Sequence, residues 1–132
     1  MSDLGSLYSK KVIDHFRNPR NMGEMKNPDG VGTSGSPICG DVLRLFIKIE
    51  KKGKENFIKD SKFQTLGCGA AIAVSSILTT MIKGKSLKEA KRINNKAIIK
   101  ILGGLPPNKI HCSVLASQAL EKAIEDYLSK QS

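Results

Sequence analysis

The chain contains no tryptophan, six other aromatic residues and three cysteines, none of them in a Cys-x-x-Cys pair. So few aromatic rings offer little surface on which nucleic-acid bases could stack. Three cysteines cannot all pair within one chain, so we expect free thiols in an intracellular, cytoplasmic protein. Residues 1–5 show neither the basic nor the apolar part of a secretory signal peptide, which agrees with that expectation.

Long hydrophobic runs are also scarce. The longest uncharged stretch, residues 63–82, has the 20-residue length of a membrane span. It contains a glutamine, five hydroxyl side chains and the sequence Gly67-Cys68-Gly69, which would interrupt a spanning helix. We therefore predict a strand that leads into a buried helix, and no membrane partner.

Acidic residues are few: 12 against 22 basic ones, which leaves a net charge of +10. A strongly basic chain raises the possibility of nucleic-acid binding. However, the basic residues are spread from Lys10 to Lys130, and most are lysine. This distribution favours a solvated surface that could face an acidic protein. The densest group consists of Lys83, Lys85, Lys88, Lys91 and Arg92.

Hydrophobic periodicity predicts one domain of mixed α and β structure. Strands are expected over 41–50, where apolar and polar residues alternate, and over 57–66. The glycine-rich stretch 18–40 is expected to be a long loop. A sheet this small needs helices on one face to be stable. Helices are predicted over 4–17, 70–83, 86–93 and 96–102, with a last one that runs from Asn108 as N-cap to about 128.

All three cysteines lie where the backbone is expected to turn. Cys39 precedes Gly40 and Asp41, Cys68 lies between two glycines before a helix, and Cys112 follows His111 in a first helical turn. Helix N-termini favour the thiolate form of Cys68 and Cys112. Each cysteine alone is more typical of a small buried hydrophobe. Together with neighbouring donors they form a candidate ligand set: Cys39, Asp41, Cys68, His111 and Cys112.

Three chemistries fit this set. Zinc accepts three thiolates plus a carboxylate or an imidazole. An iron–sulfur cluster normally takes four thiolates, so here the fourth position would go to Asp41, His111 or an external ligand, which suits a cluster that must leave. A nucleophile–base pair of Cys112 and His111 is the least favoured, because adjacent helical residues point about 100° apart.

Five segments of the chain, in order and spacing, resemble the iron–sulfur cluster scaffold family of the IscU proteins and the NifU N-terminal module. The resemblance extends over about residues 7–128. The segments are 8–16, 18–21, 37–41, 66–73 and 105–113.

The resemblance implies an α+β fold: a small three-stranded antiparallel sheet with helices packed on one face and the cysteines at one end. It implies a third strand at about 31–36, where periodicity alone indicates a loop. Residues 1–132 would form a single scaffold domain. Its N-terminal segment, about 1–20, and the loop 18–40 are hypothesised to be mobile without a cluster.

The resemblance also implies a function. A cysteine desulfurase of the IscS/NifS type would deliver persulfide sulfur, iron would join it, and a [2Fe–2S] cluster would pass to apo iron–sulfur acceptor proteins. Cys39, Cys68 and Cys112 would be ligands, with Asp41 or His111 as the fourth. Cys112 would also be the candidate persulfide acceptor, and Lys109 would tune the site. The chain would be a scaffold and not an enzyme, zinc could occupy the cluster-free site, and a homodimer is left open.

One departure concerns the stretch that commonly reads Leu-Pro-Pro-Val-Lys in the family. Here Asn108 stands in place of valine, which argues against a dedicated Hsp70-type chaperone partner. The alternative function is a zinc-binding module that docks on or regulates a cysteine desulfurase. A basic nucleic-acid binder is a more distant third.

Overall fold

The structure is a computed structural model that describes residues 8–36 and 40–130. Within these residues a three-stranded sheet is combined with α-helices before and after it. The elements in chain order are α1 (Lys10–Arg17), β1 (Gly30–Ser36), β2 (Asp41–Lys52), β3 (Glu55–Leu66), α2 (Gly69–Ile82), α3 (Leu87–Ala90), α4 (Asn95–Leu102), a 3₁₀ turn (Pro107–Lys109) and α5 (Ile110–Ser129).

The sheet is antiparallel, with the strand order β1-β2-β3. Its register pairs Gly30 with Ile47 in one ladder and Val42 with Leu66 in the other. A two-residue turn that contains Gly53, at φ +64°, joins β2 to β3. The α+β fold with a three-stranded antiparallel sheet is therefore confirmed.

The strand β1 lies inside the stretch that periodicity assigned to a loop, so the loop prediction is wrong for residues 30–36. Two of its glycines, Gly30 and Gly32, are explained by the helix α5, which crosses β1 at very short range. A Cβ atom on Gly30 would lie 2.3 Å from the carbonyl oxygen of Ala123, and one on Gly32 would lie 2.1 Å from that of Ala119. These glycines therefore permit close helix packing and do not form turns.

The core lies between one face of the sheet and the helices α2 and α5. α5 packs on β1 and β2, α2 packs on β3, and α1 packs on α2. Phe46 departs from the predicted alternation, because it is buried on the opposite face, between the predicted polar positions Arg44 and Lys48. The core side chains include Leu43, Leu45, Ile47, Ile58, Phe63, Val74, Leu78, Ala116, Leu120 and Ile124.

The helix boundaries mostly agree with the sequence predictions. α1 begins at Lys10, and the Ser9 side chain accepts a hydrogen bond from the backbone of Val12; residues 4–7 of the predicted helix lie outside the described residues. The predicted capping box of Ser86 and Glu89 is present, although α3 ends at Ala90, before the predicted 93. α4 ends at Leu102, and Gly103 follows it as the C-cap with a left-handed φ of 82°.

The predicted N-cap at Asn108 is wrong. Pro107–Lys109 form a 3₁₀ turn, in which the Lys109 amide donates to the carbonyl oxygen of Pro106. α5 consequently begins at Ile110, with Lys109 at the N-cap position. Residues 63–82 form the end of β3 followed by α2, as predicted. In the described ranges, no helix has the length and apolar character needed to cross a membrane.

Candidate metal centre

Three distant segments meet at one end of the sheet. Asp41 is the first residue of β2, Cys68 is the N-cap of α2, and His111 and Cys112 lie in the first turn of α5. The pairing of Val42 with Leu66 brings the start of β2 beside the turn that carries Cys68. The sheet register and the two helix starts thus bring together four of the predicted ligands.

The donor atoms of these four residues are close together. The Sγ atoms of Cys68 and Cys112 are 3.8 Å apart, and both thiols are free. The Nε2 atom of His111 lies 3.7 Å from the Cys112 Sγ and 2.8 Å from the Asp41 Oδ2. One donor atom each of Asp41, His111 and Cys112 lies within 4.8 Å of the others. Sulfur, nitrogen and oxygen donors in this arrangement suit zinc or iron.

Asp41 connects the other members of the site. Its Oδ1 accepts a hydrogen bond of 3.2 Å from the Cys68 amide, while its Oδ2 pairs with His111. The Asp41 side chain is 11% exposed and that of His111 is 53% exposed. Each carboxylate oxygen already has one partner, so a metal would bind Asp41 through a remaining lone pair or in place of one of these partners.

The Cys112 thiol is not activated by its helix, contrary to the sequence-based expectation. Burial, followed by the neighbouring Cys68 and Asp41, raises the pKa of Cys112 from 9.0 to about 12. Lys109 opposes this rise with its positive charge. In turn electrostatic attraction, to Cys68 first and then to Tyr8, Cys112 and Asp41, raises the pKa of Lys109, while burial opposes the rise. Desolvation therefore outweighs the helix dipole at Cys112.

The nucleophile–base interpretation is not supported, although its geometric objection needs correction. Adjacent positions on α5 do not keep His111 and Cys112 apart: the imidazole, held by Asp41, approaches the thiol to 3.7 Å. The raised pKa of Cys112, however, leaves its sulfur protonated at neutral pH. A protonated thiol is a poor nucleophile.

Cys39 lies outside the described residues, so its place in the ligand set stays a prediction. It precedes Asp41 by two positions in the sequence. Sequence reasoning did not anticipate the hydrogen bond between Asp41 and the Cys68 amide. The glycines beside both residues indicate turns, but they do not reveal that these turns face each other.

Comparisons with known proteins agree on one family. The family described as NifU-like N terminal domain matches residues 7–132. The iron-sulfur cluster assembly scaffold protein IscU 1 of Archaeoglobus fulgidus is 54% identical over 124 residues, which cover 94% of this chain and 78% of that protein. The scaffold protein IscU of Haemophilus influenzae is 52% identical over 127 residues, covering 94% of this chain and 98% of that protein.

A solved structure supports the fold independently of sequence. The crystal structure of a nitrogen-fixing NifU-like protein (N-terminal) from Brucella abortus superimposes with a TM-score of 0.67. The match covers 96% of this chain and 98% of that one at 19% identity.

Proposed function

Since this chain belongs to the NifU-like N-terminal domain family, we propose that it is a scaffold on which a [2Fe–2S] cluster is assembled and from which it is released. Its sulfur comes as persulfide from a cysteine desulfurase, and the recipients are apo iron–sulfur proteins. The cluster is cargo, so the protein is not an enzyme in the usual sense.

The observation that carries this proposal is the approach of two free thiols, those of Cys68 and Cys112, to 3.8 Å beside an imidazole and a carboxylate. A disulfide would need an S–S distance near 2.05 Å, so both sulfurs are available to a metal. Thiolates are the usual ligands of iron–sulfur clusters. A set that mixes thiolates with a weaker oxygen or nitrogen donor favours a cluster that can be given up.

The proposed ligands are Cys39, Cys68 and Cys112, with Asp41 or His111 in the fourth position. Cys112 is the proposed persulfide acceptor. Metal ligation needs the thiolate, so loading must remove a proton from a thiol whose pKa is about 12. Lys109, whose charge opposes that rise, is the proposed residue that assists this step.

The experiment that tests the scaffold function is anaerobic reconstitution with iron, cysteine and a cysteine desulfurase. Iron and acid-labile sulfide are then measured per chain. We expect near-equal amounts of the two, a visible charge-transfer spectrum, and transfer of both to an apo-ferredoxin. Tightly held zinc without sulfide uptake would contradict the proposal and leave the zinc-binding module.

The ligand set is tested by single substitutions of Cys39, Cys68 and Cys112 to alanine. Each should reduce stable cluster loading by about tenfold or more, because three ligands hold a cluster far more weakly than four. The measurement is iron and sulfide after desalting, with circular dichroism to verify folding. Ser117→Ala on the exposed side of α5 is the control. Wild-type loading in any cysteine variant would remove that residue from the set.

A further inference from the structure

Gly67 lies directly against the Asp41 carboxylate. A Cβ atom built on Gly67 would be 2.3 Å from the Asp41 Oδ1 and 3.2 Å from its Cγ. Non-bonded carbon and oxygen atoms do not approach to 2.3 Å, so any side chain at position 67 would displace the carboxylate. The displaced atom is the one that accepts the Cys68 amide hydrogen bond.

The backbone at Gly67 does not itself demand glycine. Other glycines, such as Gly35 and Gly40, have positive φ angles of 97° and 83°, but Gly67 is not among the positive-φ residues. Alanine could therefore adopt the same backbone conformation. What glycine supplies here is space, and Asp41 fills that space.

We propose that Gly67 is a positioning residue for cluster release, because its missing side chain lets Asp41 bind both the Cys68 amide and His111. This inference rests on the proposed scaffold function. It assigns to Gly67 no contact with the cluster. Gly67 acts only through Asp41.

The effect on release follows from the two bonds of the carboxylate. Asp41 joins the Cys68 turn to the His111 ring. Where cluster loading breaks or rearranges these bonds, they stabilise the chain before loading relative to the loaded chain and so favour release. Gly67→Ala should push the carboxylate out of this position, and the cluster should then leave more slowly.

The first test uses metal-free protein and needs no cluster. Amide hydrogen exchange at Cys68, followed by NMR, should be about tenfold faster in Gly67→Ala and in Asp41→Ala than in wild type. Gly69→Ala is the matched control. It flanks the same cysteine and also lacks a positive φ, but its Cβ would meet the half-exposed Phe16 ring at 2.9 Å. Wild-type exchange in Gly67→Ala would overturn the proposal.

The second test is a double-mutant cycle on the rate of cluster loss to an apo-ferredoxin. Gly67→Ala and Asp41→Ala should each slow release by about threefold or more, and the double variant should be no slower than Asp41→Ala alone. Fully additive effects would show that Gly67 acts independently of Asp41 and would refute the positioning role.

The same double variant controls for misfolding. If Gly67→Ala lowers the melting temperature, Asp41→Ala should restore it, because the substitution removes the atoms that the new Cβ meets. If Asp41→Ala did not restore the melting temperature, the new Cβ would clash with atoms other than those of Asp41, which would contradict the proposal. Failure of wild type to load a cluster would overturn the proposed function, whereas the Cys68 exchange comparison decides the positioning role by itself.

Discussion

At the scale of the residue, the resting state of Cys112 matters most for sulfur chemistry. The side chain is 2% exposed, and burial with the nearby Cys68 and Asp41 raises its pKa to about 12. A sulfur acceptor in this state must first be uncovered or deprotonated. Access to the Cys112 sulfur and its deprotonation should therefore both limit the proposed persulfide transfer.

We expect Cys112 in the metal-free protein to react with iodoacetamide at pH 8 about tenfold or more slowly than an unstructured cysteine, because only the thiolate reacts. Peptide mass spectrometry of time-resolved labelling measures this rate. The same protein in urea is the control and should label Cys112 at an ordinary rate. Rapid labelling of the folded protein would contradict the buried, protonated thiol.

The choice of the proposed fourth ligand, Asp41 or His111, also belongs to this scale. The Asp41 carboxylate has two hydrogen-bond partners, whereas His111 is half-exposed. We expect Asp41→Ala to slow cluster loss and His111→Ala to accelerate it, because the proposed role of the carboxylate is to favour release, which leaves the imidazole as the proposed fourth ligand. Cluster absorbance in the presence of apo-ferredoxin follows both rates.

Asp14→Ala is the control for this comparison, since it removes an exposed carboxylate from α1. It should release the cluster at the wild-type rate. Faster loss in Asp41→Ala would instead make the carboxylate itself the fourth ligand.

At the scale of the element, the contact between β1 and α5 is the most constrained in the fold. An alanine at position 32 would place its Cβ 2.1 Å from the Ala119 carbonyl oxygen and 2.4 Å from the Ala123 nitrogen. Both atoms belong to a helix backbone and cannot rotate away. The steric clash can therefore be relieved only if α5 moves away from β1.

We expect Gly32→Ala to lower the free energy of unfolding by about 3 kcal/mol, the upper part of the range for overpacked interiors. Urea denaturation measures the change. Thr33→Ala, at the neighbouring exposed position of β1, is the control and should stay within about 0.5 kcal/mol of wild type. An equally small effect at position 32 would contradict the close approach of α5.

The same contact explains which elements could be predicted from the sequence. β2 and α2 have clear apolar patterns and were predicted to within about two residues at each end. β1, with the sequence Gly-Val-Gly-Thr-Ser-Gly-Ser, has almost no hydrophobic pattern, because its inward positions face a helix backbone. Hydrophobic periodicity cannot detect a strand of this kind, because two of its glycines are explained only by the helix that packs on it.

At the scale of the whole molecule, the site depends on contacts between segments far apart in the sequence. Residue types and turn signals predicted the ligand set, including Asp41 and His111. They could not show that the Asp41 carboxylate bridges the Cys68 turn and the α5 start, because strand register and helix packing create that contact. The raised pKa of Cys112 has the same origin, since burial is a property of the folded chain.

Stability of the whole molecule should also depend on a polar seam between α1 and α2. The seam consists of His15, Arg20, Asn21, Ser76 and Thr79. The Ser76 hydroxyl accepts the Arg20 amide at 2.8 Å and lies 2.7 Å from His15 Nδ1, to which it can donate its own proton. The Asn21 side-chain amide donates to Thr79 at 2.9 Å. These hydrogen bonds join α1 and the loop after it to α2. The Ser76 hydroxyl can donate to the imidazole only when His15 Nδ1 carries no proton, so the seam favours neutral His15.

Burial first, and the Arg20 charge second, lower the pKa of His15 below 6.5. The unfolded chain therefore binds this proton at a higher pH than the folded chain does, and the stability contributed by neutral His15 is lost as pH falls below about 6.5. We expect the free energy of unfolding of wild type, from urea titrations between about pH 7.5 and 5.5, to fall more steeply than that of His15→Gln. Equal slopes would show that His15 does not carry the pH dependence and would contradict its role in the seam.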